Sequence, residues 1–427
     1  MNIKTLMPLR SIIKHPLISG SSIAFIGSFC ASILAYLFNL AMIRMLSVSD
    51  YGLLTALTSL VTLFGIFQVS LVGIFAKFSA KYQAKSDDSG FSQLYLSGLR
   101  FVLFISVIIG ILLTVLIPIL SSFFKISDYS LIIIVIFSIM FSIISAFPLG
   151  VLQGKMRFWM TSLLYILAPV VKILVGVSLV SMGYNILGVL IAILLASLTP
   201  SVIGIFLIKR NQIVKKIKKN EASIFFREFR KYSLHYFLAS LGITIITNAD
   251  IMLVRAFFDP NISGQYAALS LMGKAIFYFT SPIYFVFFPL IAQKNERKEN
   301  YTKILLLTIS LVLCVTGSIS IFYFLFPQIV LAIFAPREEY KALIPYIGMF
   351  SLYMLVFSIA NIFNHLFLSI NKGRVFIINL FTALVFVISI VYFHESLQQV
   401  ITILLMSSSL LLLLYLLYYY RVSHGKN

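Results

Sequence analysis

Residues 232–258 read YSLHYFLASLGITIITNADIMLVRAFF. This stretch is long and apolar enough to cross a bilayer, which takes about 20 residues of helix. Near one end it carries Asp250 and Arg255, five residues apart. A charge at membrane depth costs about 2.5–3.5 kcal/mol on insertion scales, so a span that keeps both signs uses them or pairs them.

The rest of the chain repeats the pattern. Its 427 residues are 60% hydrophobic and only 11% charged, against about a quarter charged in soluble domains. Backbone polar groups must be paired inside lipid, so the spans are helices or a closed barrel. The apolar runs are continuous rather than alternating, which selects helices. Before the opening stretch, spans fall at 17–46, 52–76, 96–120, 131–152, 159–182 and 187–208. After it they fall at 265–292, 304–326, 344–370, 375–393 and 398–420. Residues 1–16 are polar and basic, but the apolar run that follows is too long for a signal-peptide core and reads as an uncleaved first span. The expected organisation is a six-helix bundle over 1–208, a basic linker over 209–231 and a second six-helix bundle over 232–427.

The net charge of +20 would suit a nucleic-acid partner. The distribution of the charge argues for topology instead, and no nucleic acid is expected. Of the 33 Lys and Arg, 26 lie at the termini and in alternate loops, Lys125, Arg337 and Lys341 lie in the opposite loops, and four lie in the spans. By the positive-inside rule both ends are cytoplasmic. Nine of the basic residues crowd into 209–231, where they suit anionic lipid headgroups. Ile224, Phe225, Phe226 and Phe229 among them suggest a short helix lying on the membrane. Cys30 and Cys314 sit inside spans as packing residues, with no disulfide framework, metal motif or catalytic set. No nucleotide-binding loop is present.

A duplication is visible. Asn39 and Arg44 match Asp250 and Arg255 in spacing, and GLLTAL from Gly52 matches GQYAAL from Gly264. Pro118 with Asp128-Tyr129 resembles Pro327 with Glu339-Tyr340, and the turns 153–157 (QGKMR) and 371–374 (NKGR) hold matching places. Six spans per half make the repeats parallel, with a substrate site expected near the midplane.

The run Arg44-Met45-Leu46 followed by Ser49-Asp50-Tyr51-Gly52 resembles the start of the bacterial polysaccharide-biosynthesis flippases, the O-antigen unit translocases. These are similar in architecture to the multidrug and toxic-compound extruders (MATE-like). The resemblance implies an all-α integral membrane protein of twelve helices in the bacterial inner membrane. It would carry an undecaprenyl-pyrophosphate-linked oligosaccharide to the outer leaflet through a cationic cavity. It further implies a polysaccharide polymerase and a chain-length regulator as pathway partners. No fixed set of site residues carries over from it.

The residues themselves name candidates. At 1.5 Å per residue Lys172 lies roughly 20 Å past the turn that precedes its span, and Lys274 roughly 15 Å from the outer end of its own, so both sit near the middle. Facing lipid they would be costly, so they should face the interior, where a pyrophosphate is a fitting partner. Each could equally pair with a buried acid or with carbonyls. Arg44 and Arg255, near the outer ends of the first span of each half, read either as further substrate contacts or as side chains reaching for headgroups. Asp250 has three readings: an ion pair with Arg255, an ion pair with Lys274, or a carboxylate that couples transport to a proton or Na⁺ gradient. No other cofactor is expected. Asn39, Asn248, Asn361 and Asn364 bind sugars or join helices. His235 and His365 read as packing or interfacial residues. Pro148, Pro169, Pro200, Pro282 and Pro289 interrupt spans as kinks or hinges.

Two other classes stay open. A membrane glycan polymerase would carry a large outer loop, whereas the longest here runs only over 327–341. A multidrug exporter would favour an acidic interior, and this one holds more cations than acids.

Overall fold

The computed structural model describes residues 16–85, 88–209, 222–370 and 372–424. Lys4, Arg10, Lys14, most of the basic linker and Asn371 lie outside the described residues. The helices are α1 (Pro16–Met45), α2 (Val48–Ala84), α3 (Asp88–Val115), α4 (Ile117–Phe124), α5 (Tyr129–Gly154), α6 (Phe158–Ser181) and α7 (Asn185–Lys209). The second half supplies α8 (Ala222–Phe257), α9 (Pro260–Glu296), α10 (Thr302–Leu325), α11 (Pro327–Phe334), α12 (Ile344–Ser369), α13 (Val375–Tyr392) and α14 (Leu397–His424). A 3₁₀ turn, Glu338–Leu343, leads into α12. Among the described residues 12 helices are long and apolar enough to cross a membrane, and α4 and α11 are the short extras.

Local chemistry sets the boundaries. Proline in the first turn opens α9, α11 and α12, where its missing N–H costs no helix bond. At the end of α6, Gly183 takes φ +92°. Its N–H reaches Val180 O, and the Tyr184 N–H reaches Leu179 O, both at 3.0 Å. This is the glycine-dependent stop that satisfies two orphan carbonyls at once. The internal prolines, Pro148, Pro169, Pro200, Pro282 and Pro289, lie within continuous helices.

Two expectations need correction. The run 96–120 is not one span. α3 stops at Val115, and α4 starts afresh at Ile117, because Pro118 cannot continue the helix before it. Nor is the apolar set around Phe226 a separate surface helix. The backbone runs unbroken from Ala222 to Phe257 as one 36-residue helix; that stretch contains no proline.

The described residues form two compact units. The first draws on Met1–Phe38, Phe67–Leu116 and Ile133–Lys231. Its helices touch through small residues, as membrane helices do when packing and not water drives association. A Cβ on Gly150 would lie 2.6 Å from the Val72 carbonyl oxygen, so α5 can approach α2 this closely only with glycine there. Phe75 and Phe147 meet edge to face at 5.2 Å, and Gln68 bonds Ser145 and Ser142, each at 2.8 Å.

The second unit draws on Asn39–Ile66, Ile117–Ile132 and Tyr232–Asn427. The end of α1, the start of α2 and all of α4 therefore cluster with the second sequence half. A buried amide network ties α8, α12, α13 and α14. Asn379 Nδ2 donates to Ala239 O at 2.9 Å and to Asn364 Oδ1 at 3.1 Å, and Tyr415 OH donates to Asn379 Oδ1 at 2.5 Å. Apolar side chains such as Ile111, Leu174, Leu307 and Phe393 point outward, as they must where the surrounding solvent is hydrocarbon.

Candidate functional site

In the first unit, α6 carries Lys172 at mid-helix. The side chain is half-buried, and its Nζ stands 4.1 Å from the centroid of Phe38, which is fully buried. Gly176, one turn along α6, makes room for this: a Cβ there would lie 3.0 Å from the Phe38 ring. The ring face is negative, so it holds the ammonium group without neutralising it.

In the second unit, α8 carries Asp250, only 2% exposed. Its Oδ2 accepts a bond from Tyr266 OH at 2.8 Å, whereas Oδ1 is buried with no hydrogen-bond partner among the described residues. Tyr266, Ser270 and Lys274 follow one another at four-residue steps along one face of α9. Lys274 is half-buried and lies close enough to Asp250 for the two charges to interact. Phe350 meets Tyr266 edge to face at 6.0 Å and Tyr353 at 5.3 Å. The result is a buried carboxylate with a phenol on one oxygen and a lysine nearby.

Asp250 and Arg255 do not satisfy each other. Arg255 is 3% exposed, and its Nε donates to Phe124 O at 3.0 Å, with Asp50 adding an attractive charge. Arg44 behaves alike from an exposed position: Nη2 donates to Ile333 O at 2.6 Å. Sequence reasoning missed the reciprocal contacts. Arg337 donates to Leu46 O at 2.5 Å and to Arg44 O at 2.6 Å, and Lys125 Nζ donates to Phe258 O at 2.9 Å. The available signal was that Lys125 and Arg337 occupy matching connections in an otherwise base-poor set of loops.

The remaining candidates have local roles. His365 stacks on Tyr284 at 5.4 Å, and the side chain of His235 lies outside the described set. Asn364 joins helices through Asn379, while Asn248 bonds Thr244 O of its own helix at 3.1 Å. Outside the spans, Lys294 holds Glu299 at 2.6 Å and keeps that carboxyl below its usual range. Among the described residues no group of three or more His, Cys, Asp or Glu could hold a metal ion.

A family model described as "Polysaccharide biosynthesis protein" matches residues 17–295. An uncharacterized membrane protein of Methanocaldococcus jannaschii is 26% identical over 275 residues, 62% of this chain and 65% of that protein. The match thus spans just under two thirds of that relative's length. Among solved structures, an inward-facing multidrug resistance MATE family transporter of the MOP superfamily aligns with a TM-score of 0.72 at 15% identity, over 91% of this chain and 94% of its own. The lipid II flippase MurJ, in an inward closed conformation, aligns with a TM-score of 0.70 at 15% identity, over 92% of this chain and 86% of its own. A MOP superfamily transporter from Pyrococcus furiosus aligns with a TM-score of 0.58 at 15% identity, over 95% of each chain. These are transporters and not catalysts, and the all-helical MATE-like fold is shared with them.

Proposed function

Because the chain belongs to the polysaccharide biosynthesis protein family, we propose that it is a flippase for a lipid-linked oligosaccharide. The substrate in this reading is an undecaprenyl-pyrophosphate-linked repeat unit of a surface polysaccharide such as O-antigen. It moves from the cytoplasmic to the outer leaflet of the inner membrane by alternating access, with both termini of the protein cytoplasmic. The observation that carries the reading is the pair of half-buried mid-helix lysines, Lys172 and Lys274. Among the described residues neither is consumed by a close ion pair: one rests on an aromatic ring and the other stands near a carboxylate already bonded to a phenol. A pyrophosphate supplies the acceptor oxygens that such ammonium groups lack, and charge-assisted bonds strengthen away from water. Arg44 and Arg255 already meet backbone carbonyls, so they rank below the lysines as substrate contacts.

Asp250 serves the driving force. Its Oδ1 can take a proton or contact Na⁺, while Lys274 is shared between Asp250 and the substrate phosphate. Arrival of a phosphate draws Lys274 away and leaves the carboxylate to bind a cation, which links the two events. A polymerase and a chain-length regulator are the natural pathway partners of such a protein. The one feature that favours a second reading, cation export, is the same buried carboxylate.

The test is deletion of the gene followed by mass spectrometry of lipid intermediates. Accumulation of an undecaprenyl-pyrophosphate glycan, with loss of the surface polymer, is expected. An unchanged lipid pool with greater dye sensitivity would favour the exporter.

A further inference from the structure

We propose that the outer ends of the two sequence halves are latched by a reciprocal set of cation-to-carbonyl bonds, in which each half caps helix ends of the other. The word "outer" rests on the cytoplasmic termini proposed above. All the residues concerned lie in the second compact unit.

The pattern follows the duplication. Arg44, of the first half, donates to Ile333 O near the end of α11 in the second half. Its repeat counterpart Arg255, of the second half, donates to Phe124 O at the end of α4 in the first. A second exchange runs beside it. Arg337 of the second half donates to Leu46 O just past α1, and Lys125 of the first half donates to Phe258 O just past α8. Four helices thus end at this layer, and each end is met by a cation from the opposite half. Terminal carbonyls have no partner within their own helix and carry the negative end of its dipole, so a cation is the side chain that suits them.

Beneath the cations the two halves touch backbone to backbone. Gly52 and Gly264 are the repeat glycines of α2 and α9, and a Cβ on Gly52 would lie 2.6 Å from Gly264 N and 2.8 Å from its Cα. Tyr51 and Tyr340 are fully buried in the same layer.

The layer is closed but incompletely satisfied. Arg255 Nη1, Ser263 Oγ and Tyr340 OH are all buried with no hydrogen-bond partner among the described residues. Buried polar groups without partners oppose closure, because opening would hydrate them. The caps favour the closed arrangement and the orphaned groups favour the open one. A layer balanced in this way is a reversible latch and not a permanent staple.

The experiment reads outer-face accessibility without any substrate. In a Cys30→Ser, Cys314→Ser background, the buried Ser263 is replaced by Cys as reporter. A membrane-impermeant maleimide is then applied to right-side-out and to inside-out vesicles. Slow labelling of the parent is expected from the outer face. Arg44→Gln with Arg255→Gln should raise the outer-face rate about tenfold or more, and the matching Lys pair should restore much of the protection. Arg337→Gln alone removes two bonds from a part-exposed side chain and serves if the buried variant does not fold. Gly52→Ala, which wedges the contact beneath, should also raise the rate. Unchanged labelling in the Gln variants overturns the latch, as does an equal rise in Gln and Lys variants or an unchanged rate in Gly52→Ala. Labelling gained only in inside-out vesicles overturns the outer assignment. The labelling is read without any lipid-linked glycan, whereas the cargo reading is tested by the lipid intermediates that accumulate on deletion, so failure of the latch and failure of the cargo reading are told apart.

Discussion

Two sets of cations line these helices, and they are satisfied in opposite ways. At the helix ends, Arg44, Arg255, Arg337 and Lys125 each donate to a backbone carbonyl of another helix. Along the helices, Lys172 has a ring face and Lys274 a carboxylate whose hydrogen bond goes to a tyrosine. The first set completes the fold's own hydrogen bonding. In the function proposed above the second keeps donors in reserve, because donors at depth are what an anionic headgroup can use. A cation in a span therefore means little until its acceptor is known.

The contrast breaks most sharply at the reserve set. Lys172→Ala or Lys274→Ala should lower surface polysaccharide about tenfold or more, since truncating a partner of a desolvated charge costs about 2–5 kcal/mol. Protein level and thermal melting should stay near wild type; a melting loss matching the polysaccharide loss would assign both lysines to the fold. Arg255→Gln should do the reverse and lower stability first, by about 1–3 kcal/mol for a buried charged hydrogen bond. Arg44→Gln, from its exposed position, should cost less than about 1 kcal/mol. Equal melting shifts in the two would erase the difference between the halves.

Asp250→Asn is a finer cut. Tyr266 OH can still donate to the amide oxygen, so the fold should persist while the dependence of transport on an imposed pH or Na⁺ gradient is lost. An unaltered gradient response would remove Asp250 from coupling. The smallest effect belongs to a pair whose two side chains are each under half exposed, Lys294 and Glu299. The Glu299 carboxyl is held below its ordinary value by Lys294, so its stabilising contribution is present above the unfolded value, about pH 4.3. That contribution fades as the pH falls through the lower, folded value. Glu299→Gln should leave the melting temperature near neutral pH almost unmoved, and a large shift would show that the turn after α9 depends on this pair more than its exposure indicates.

Much of this was legible in the chain. Continuous apolar runs announce helical spans, because unpaired backbone cannot survive in lipid. The twin arginines and the glycines at 52 and 264 were visible as repeats. What stayed hidden were partners that carry no side-chain signature. A carbonyl such as Phe124 O looks like any other in sequence, so the arginines read as headgroup or substrate contacts. Phe38 stands far from Lys172 along the chain, and Tyr266 is one of many tyrosines. The break at Pro118 was readable in principle, but a hydrophobic run on both sides of it masked a second, short helix.

The most direct measurement uses purified protein in liposomes with a fluorescent glycan on undecaprenyl pyrophosphate, and scores how fast the glycan reaches the opposite leaflet. Wild type should move it, Lys172→Ala and Lys274→Ala should slow it about tenfold or more, and a neutral carrier without the pyrophosphate should not be moved. Equal rates for the charged and neutral carriers, or wild-type rates in both lysine variants, would contradict the idea that these donors are held in the membrane for a phosphate.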